Sequence, residues 1–219
     1  MSQSKYKYAL FDLDGTLTDP GEGITKSVQY ALAKFGINVE NRQELFCFIG
    51  PPLHESFEVY YGFSRPDAMK AVDCYREYYA VKGIFENLVY DGIPEALEKL
   101  QKSGVKICLA TSKPEIYAKQ ILEHFNLDGY FTAVAGSEMN GTRTKKAEVV
   151  ERALMLLGNP DVKDCVMIGD REHDVLGGAV HGLDTVGVLF GYGSREELKR
   201  AGATYIAAKP IEIVDIINQ

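Results

Sequence analysis

FDLDGTLT, residues 11–18, is the stretch that decides the fold: it ends the first apolar run of the chain, residues 8–11, in two carboxylates and a glycine turn. Asp12 and Asp14 are two residues apart on a turn opened by glycine, so both can face one cavity. An ionised Asp12 can attack a phosphorus atom without a base to deprotonate it. The neighbouring negative charge can raise the pKa of Asp14, which would then hold a proton for a leaving group. The backbone N–H groups of residues 13–15 are expected to form an anion-binding nest.

Asp-x-Asp-Gly also occurs in ordinary turns and in calcium loops. A calcium loop of the EF-hand kind needs further acidic ligands and a late glutamate, whereas this run continues with Thr-Leu-Thr. The sequence therefore favours a reactive carboxylate pair over a calcium loop.

Apolar runs of strand length recur along the chain. Together with the first one they cover residues 8–11, 105–110, 133–136, 165–168 and 185–189. Stretches with helical periodicity lie between the later runs, at residues 93–100, 116–124, 147–157 and 175–181. This alternation predicts an α/β fold with a Rossmann-like parallel sheet. In such sheets the polar residues that end the strands converge at one edge, where ligands bind.

One segment departs from the alternation, because residues 21–83 contain helical patterns and no convincing strand. The expected helices are 24–35, 44–48, 53–61 and 66–81. We therefore predict a core formed by residues 1–17 and 86–219, and an α-helical cap domain, 18–85, inserted after the first strand.

A second acidic motif, VMIGDREHD, covers residues 166–174. Asp170 and Asp174 are four residues apart at a strand-to-helix junction, which places both near the start of the helix and on one face. Hard oxygen ligands beside a phosphate suit Mg²⁺. The alternative is that these aspartates cap the helix, and both readings stay open at this point.

Two weaker signals lie between the acidic motifs. Residues 109–114, LATSKP, predict a strand that ends in the hydroxyl of Thr111 and a helix that begins at Pro114. Thr111 can bond a phosphate oxygen or cap that helix. Lys146 is expected at a helix start, where a cation opposes the helix dipole, and this unfavourable placement indicates a role. Lys145 beside it leaves the choice between the two lysines open.

Composition limits the classes of partner. The 219 residues carry 24 basic and 31 acidic side chains, a formal net charge of −7. This charge argues against binding to nucleic acid polymers or to anionic membranes, but not against a small phosphorylated ligand. Four cysteines without a C-x-x-C pair indicate neither zinc nor a disulfide framework. With no signal peptide or membrane-length apolar run, a cytoplasmic location is expected.

Taken together, the four segments resemble the motifs of the haloacid dehalogenase superfamily of phosphohydrolases, in order and over the whole chain. The resemblance implies that Asp12 is the nucleophile and Asp14 the general acid and base. It implies that Thr111, with Ser112, and Lys146 hold the phosphoryl group. It also implies a Mg²⁺ cofactor bound by Asp12, the backbone carbonyl of Asp14 and Asp170, with Asp174 supporting the metal or its waters.

Longer segments are similar to a bacterial group of phosphoglycolate phosphatase-like and 5′-nucleotidase-like proteins. They are residues 23–30, 49–53, 110–115, 169–174 and 191–194. This resemblance implies a magnesium-dependent hydrolase of small phosphate monoesters, with a 5′-nucleotide expected first and phosphoglycolate second. Lys26, Gly50 and Pro51 are the candidate substrate residues of the cap. We expect a monomer or a homodimer.

Four alternatives remain. A haloacid dehalogenase does not need an acid at Asp14, which argues against that activity. A sugar phosphomutase shares both aspartates and stays open. A phosphonate hydrolase would need a Schiff-base lysine in the cap, for which Lys26 is the candidate. A non-catalytic phosphate-binding regulatory protein would be expected to have lost one of the aspartates, and none is missing.

Overall fold

The structure, a computed structural model, describes residues 4–219, which divide into two compact units. One unit comprises the chain up to Thr18 together with Val89–Gln219, and the other is Asp19–Leu88. The sequence placed these boundaries after residues 17 and 85, one and three residues earlier. In the described part of the chain no helix has the length and apolar character that a bilayer crossing requires.

The strands of the structure are β1 Tyr8–Phe11, β2 Thr18–Asp19, β3 Leu88–Val89, β4 Lys106–Pro114, β5 Phe131–Ser137, β6 Cys165–Gly169, β7 Asp184–Val188 and β8 Tyr205–Ala207. The α-helices are α1 Gly21–Lys34, α2 Leu53–Tyr61, α3 Arg65–Tyr79, α4 Ile93–Lys102, α5 Glu115–His124, α6 Lys146–Leu156, α7 Glu172–Val180, α8 Arg195–Ala201 and α9 Pro210–Ile217.

Six parallel strands form the sheet of the larger unit, in the order β5-β4-β1-β6-β7-β8, and β2 and β3 form a separate two-stranded sheet. β1 and β6 lie at the centre and are buried almost throughout. Parallel strands covered on both faces read as uninterrupted apolar runs, which explains why the sequence located these two so well. The predicted α/β fold class is confirmed.

The larger unit has its core where helix α6 packs against the sheet. Leu10, Cys108 and Met167, from three neighbouring strands, belong to one buried cluster with Val149 and Ala153 of α6. Burial raises the pKa of the Cys108 thiol to about 12, and it raises the pKa of the Cys165 thiol in the same cluster to about 12 as well. Both cysteines are therefore small core residues.

Two expectations about this unit need correction. β4 does not end at Thr111 but continues to Pro114, with a register shift against β5 between Ala110 and Pro114, so α5 begins at Glu115. The sequence also missed the last part of the unit, namely β8, α8 and α9. β8 is a three-residue strand that pairs only with β7, and so short a run carries no periodic signal.

The smaller unit is helical, as expected, but one predicted α-helix is a 3₁₀ segment. Arg42–Phe48 begins where the Asn41 side chain accepts the Gln43 N–H at 3.1 Å. It ends just before Gly50, whose φ of +106° is followed by two prolines. These two signals limit the segment to seven residues, and 3₁₀ turns are frequent in such connecting pieces.

Candidate active site

The site lies where three neighbouring strands of the larger unit end. Phe11, the last residue of β1, pairs with Leu109 of β4 on one side and with Ile168 of β6 on the other. Asp12 therefore leaves the sheet between these strands, and its N–H donates to the Ile168 carbonyl at 2.9 Å. Asp170 follows β6 directly. This is the edge at which parallel α/β sheets bind their ligands.

A tight turn directs the chain away after Asp14. Gly15 has a φ of +84°, and its N–H donates to the Thr18 carbonyl at 2.8 Å. The N–H groups of Leu17 and Thr18 donate to the Leu13 carbonyl at 2.9 and 3.0 Å. The expected nest is thus only partly available, because the turn itself uses the Gly15 N–H.

Lys146 supplies a buried cation. Its ammonium lies 2.7 Å from Asp12 Oδ1 and 2.8 Å from Asp174 Oδ1, and it donates a hydrogen bond to the Ala110 carbonyl at 3.1 Å. Burial alone would lower the pKa of Lys146, but the charges of Asp12 and Asp174 outweigh it and the pKa is raised. Lys145 is exposed, so Lys146 is the lysine at the site.

Three buried carboxylates meet beside this cation. One oxygen each of Asp12, Asp170 and Asp174 lies within 4.8 Å of the others. Against one ammonium, three carboxylates leave two negative charges without a partner inside the cluster. In addition, Asp14 Oδ1 is buried and has no hydrogen-bond partner within residues 4–219. Oxygen donors with an excess of two negative charges fit a divalent cation that prefers hard ligands.

Burial is the main influence on the pKa values of the acidic residues. It raises the pKa of Asp170 well above its ordinary value, and the charges of Asp174 and Asp12 raise it further. It also raises the pKa of Asp174, against the opposing charge of Lys146. The sequence expected a raised pKa for Asp14 because of Asp12. The direction agrees, but burial is the larger cause and Asp12 adds only a smaller contribution.

Lys113 is a site residue that the sequence did not single out. Its Nζ donates to Asp14 Oδ2 at 2.5 Å, and both side chains are buried. Its charge lowers the pKa of Asp14 and so opposes the effect of burial. The sequence feature that could have pointed to Lys113 is its position two residues after Thr111. Because Pro114 predicts the start of a helix, Lys113 is expected in the turn before that helix and not in the strand.

Thr111 and Ser112 lie on β4 next to Lys113. The Thr111 hydroxyl is buried and accepts the Lys113 N–H at 3.2 Å, while Ser112 is half-buried. Thr111 does not cap α5, because three residues separate it from the first residue of that helix. A role in binding phosphate remains a prediction for both hydroxyls.

Asp174 combines the two roles that the sequence left open. Its Oδ2 accepts the Arg171 N–H at 3.1 Å and so caps the start of α7. Its Oδ1 faces Lys146. Two glycines leave space for this pair: a Cβ atom on Gly169 would overlap the Asp174 carboxylate, and one on Gly177 would lie 2.6 Å from Lys146 Cγ.

The loop between β7 and α8 contacts Asp170 through its backbone. The Tyr192 N–H donates to Asp170 Oδ2 at 2.7 Å, whereas Thr16 Oγ1 approaches Asp170 Oδ1 only to 3.5 Å. A Cβ atom on Gly191 would lie 2.5 Å from Asp170 Cβ, and one on Gly193 would overlap the Asp170 carbonyl oxygen.

The candidate substrate residues Lys26, Gly50 and Pro51 belong to the smaller unit. Lys26 is held in ion pairs with Glu22 at 2.6 Å and Glu86 at 2.7 Å, and its hydrogen bonds to them raise its pKa. A Schiff-base lysine needs a lowered pKa, so this environment argues against the phosphonate-hydrolase alternative. The role of the three residues in substrate recognition stays a prediction.

The fold and the buried acidic cluster define a protein of the α/β class with carboxylates at the carboxyl edge of its sheet. The chain belongs to the haloacid dehalogenase-like hydrolase family, whose model matches residues 9–188. Proteins named as phosphatases are among those it is similar to.

Several known proteins are similar over most of the chain. A 5′-nucleotidase of Pseudomonas aeruginosa is 48% identical over 204 residues, which cover 93% of this chain and 92% of that protein. The tyrosine-protein kinase PtkA of Mycobacterium tuberculosis is 39% identical over 197 residues, 90% of this chain and 67% of that one. The crystal structure of a predicted phosphatase from Clostridium acetobutylicum has a TM-score of 0.93 at 50% identity, covering 96% of this chain and 97% of that chain.

Proposed function

We propose that the protein is a magnesium-dependent phosphomonoester hydrolase that works through an aspartyl-phosphate on Asp12. The observation that carries the proposal is the pairing of two buried carboxylates on one turn, each with its own lysine. Asp12 faces the ammonium of Lys146 at 2.7 Å and Asp14 accepts from Lys113 at 2.5 Å, yet burial still raises the pKa of Asp14. Carboxyl groups whose environments differ in this way divide into a nucleophile and an acid.

In the first step a carboxylate oxygen of Asp12 attacks the phosphorus atom, and the bond from phosphorus to the ester oxygen breaks. The protonated carboxyl of Asp14 gives its proton to the leaving alcohol. In the second step water attacks the aspartyl-phosphate and gives a proton back to Asp14. Inorganic phosphate leaves, and both carboxyl groups return to their starting states.

Charge on the peripheral phosphoryl oxygens has to be stabilised throughout. Lys146 can do so directly, and the Thr111 hydroxyl can donate to a phosphoryl oxygen while it accepts the Lys113 N–H. Asp12, Asp170 and Asp174 would hold Mg²⁺, together with the main-chain carbonyl of Asp14. When bound, the ion supplies positive charge to the transferring group.

A 5′-nucleotide is the first substrate we propose, and phosphoglycolate the second. The relative at 48% identity is named a 5′-nucleotidase, and the similarity extends over nearly the whole chain. This name supports a nucleotide as the substrate. A base would need an aromatic surface to stack on. Of the aromatic residues in the smaller unit, Phe57 is fully buried in its core and Tyr60 is exposed.

Replacement of the nucleophile tests the chemistry. Asp12→Asn should reduce turnover of p-nitrophenyl phosphate by at least about 10⁴-fold, because an amide is a far poorer nucleophile. Asp14→Asn should still form a hydroxylamine-sensitive phosphoryl adduct on Asp12 from this substrate, whose leaving group needs little protonation. Peptide mass spectrometry can locate that adduct.

Asp128→Asn is the matched control, because Asp128 is exposed and remote in sequence from both motifs. It should retain wild-type turnover. Wild-type activity of Asp12→Asn, or an adduct on another residue, would rule out the assignment. Release of inorganic phosphate distinguishes hydrolysis from the phosphomutase alternative. It also distinguishes hydrolysis from transfer to a protein hydroxyl, which the name of the kinase relative raises.

The substrate class requires a separate comparison. kcat/KM for a nucleoside 5′-monophosphate should exceed that for ribose 5-phosphate, which lacks the base. Equal values would mean that the base is not read, and a general small-phosphate phosphatase would then replace the nucleotidase proposal.

A further inference from the structure

We propose that the loop carrying Gly191, Tyr192 and Gly193 is a positioning element that restricts Asp170 to one oxygen for metal binding and thereby favours Mg²⁺ over Ca²⁺. This inference rests on the proposed metal site. It concerns a segment that contributes no charged side chain to that site. We call residues 191–193, together with Gly15, the Asp170 cradle.

The cradle contacts both the backbone and the carboxylate of Asp170. Gly193 approaches the Asp170 carbonyl so closely that a Cβ atom would overlap it. A Cβ atom on Gly191 would overlap the Gly15 carbonyl oxygen and would lie 2.5 Å from Asp170 Cβ and 2.6 Å from its Oδ2, and one on Gly15 would overlap the Asp170 carboxylate. Neither Gly191 nor Gly193 has a positive φ, so their backbone conformations suit any residue. The requirement for glycine at these two positions is therefore purely one of space.

The two oxygens of Asp170 differ as a result. Oδ2 accepts the Tyr192 N–H at 2.7 Å, the length of a charge-assisted hydrogen bond. Within residues 4–219, the hydrogen bond to Oδ1 is the longer one from the Thr16 hydroxyl at 3.5 Å. Because the Tyr192 N–H occupies Oδ2, the carboxylate is disfavoured from presenting both oxygens to the same ion.

The number of oxygens that a carboxylate presents matters for the choice of ion. Ca²⁺ takes six to eight ligands and accepts bidentate carboxylates, whereas Mg²⁺ requires a compact octahedron built from one or two carboxylates and water. A single fixed oxygen from Asp170, beside Asp12 and Asp174, suits Mg²⁺. An Asp170 released from the cradle could present both oxygens, which suits Ca²⁺.

Calorimetric titration of the substrate-free chain with Mg²⁺ and with Ca²⁺ tests this inference without reference to turnover. Gly191→Ala and Gly193→Ala should each weaken Mg²⁺ binding by about 10–100-fold, the usual effect of changing a group that orients a metal ligand. Ca²⁺ binding should weaken less, so the preference for Mg²⁺ should fall. Gly129→Ala is the matched control, because a Cβ atom there meets no described atom within 4 Å. It should leave both affinities unchanged.

Asp170→Asn provides a variant that does not depend on the glycine positions tolerating a methyl group. The Tyr192 N–H requires an acceptor, so the amide should turn its oxygen toward Tyr192 and its NH₂ toward the metal. The variant should therefore fold at least as well as the wild type, since an uncharged group replaces a buried carboxylate, and yet lose Mg²⁺ binding.

Three results would overturn the inference. They are wild-type Mg²⁺ affinity in folded Gly191→Ala and Gly193→Ala, equal losses for both ions, or near-wild-type Mg²⁺ affinity in Asp170→Asn. If the wild type itself failed to bind Mg²⁺, the proposed metal site would fall together with the inference. The first two results would leave the proposed metal site and the proposed hydrolysis untouched, whereas the third would also remove Asp170 from the proposed metal site.

Discussion

Removing the buried cation, by Lys146→Met, should destabilise the larger unit strongly. The ammonium lies 2.7 Å from Asp12 and 2.8 Å from Asp174, and methionine has a similar length without the charge. The substitution leaves the three carboxylates of the cluster facing one another without a cation between them. It therefore breaks a buried ion pair from one side, which is the costly way to break it.

The size of the effect follows from this geometry. Removing one partner of a buried ion pair costs about 3–5 kcal/mol of unfolding free energy. In chains of this length each kcal/mol changes the melting temperature by roughly 2–4 °C, so the expected decrease is about 6–20 °C. Lys145→Met is the matched control: it removes the same charge from an exposed neighbouring position and should change the stability by less than about 0.5 kcal/mol.

The sign of the pH dependence gives a second test. Burial raises the pKa of Asp174 and Lys146 lowers it, so loss of the lysine raises this pKa further. A carboxyl group with a raised pKa in the folded state binds more protons folded than unfolded. Stability then falls as the pH rises from the ordinary value of 3.8 through the raised one. The deficit of Lys146→Met should therefore be larger near about pH 8 than near about pH 5.

Thermal unfolding in EDTA, followed by circular dichroism at both pH values, measures these differences. Excess Mg²⁺ should restore part of the loss, because a divalent cation can replace the missing charge. The reasoning would be refuted if Lys146→Met and Lys145→Met melted together. A deficit that shrank as the pH rose would refute it as well.

Two further predictions concern the reaction. Lys113→Met should slow formation of the phosphoryl adduct from an alkyl phosphate by up to about 10²-fold and that from p-nitrophenyl phosphate much less, because Lys113 orients Asp14 and in this first step only the poor leaving group needs its proton; equal losses in the rate of adduct formation, or an equal loss in Lys119→Met at an exposed site, would contradict this. Turnover should disappear after metal removal by EDTA, return with Mg²⁺ and be inhibited by Ca²⁺, which can draw both oxygens of Asp12 into coordination; full activity in EDTA would disprove the metal requirement.

The parts of the fold that could be predicted from the sequence are those in which burial requires an uninterrupted run of apolar residues. β1 and β6 are covered on both faces, so their runs are uninterrupted and end sharply at Asp12 and Asp170. The edge strand β8 has no such apolar run, since it is three residues long and pairs on one side only. Its existence depends on β7 being in place.

The site shows the same limit. The motifs indicated which carboxylates to consider, and the structure brings Asp12, Asp170 and Asp174 together. Lys113 was not predicted because its contact with Asp14 requires strand β4 to continue past Thr111. That continuation depends on the pairing of β4 with neighbouring strands rather than on the local conformational preference of its residues. The main cause of the raised pKa of Asp14, its burial, was not predicted either, because burial depends on the packing of the whole unit and not on any short stretch of sequence.

Gly169 and Gly177 have a consequence for how such genes diverge. Neither glycine carries chemistry, yet a single methyl group on either would push against the Asp174 carboxylate or the Lys146 stem. A lineage could therefore lose its activity by one glycine-to-alanine change while every acidic residue and the lysine persisted. In a genome survey, a homologue with an intact set of charged residues but alanine at either position should be counted among the inactive members, and reversion of that one codon should revive it.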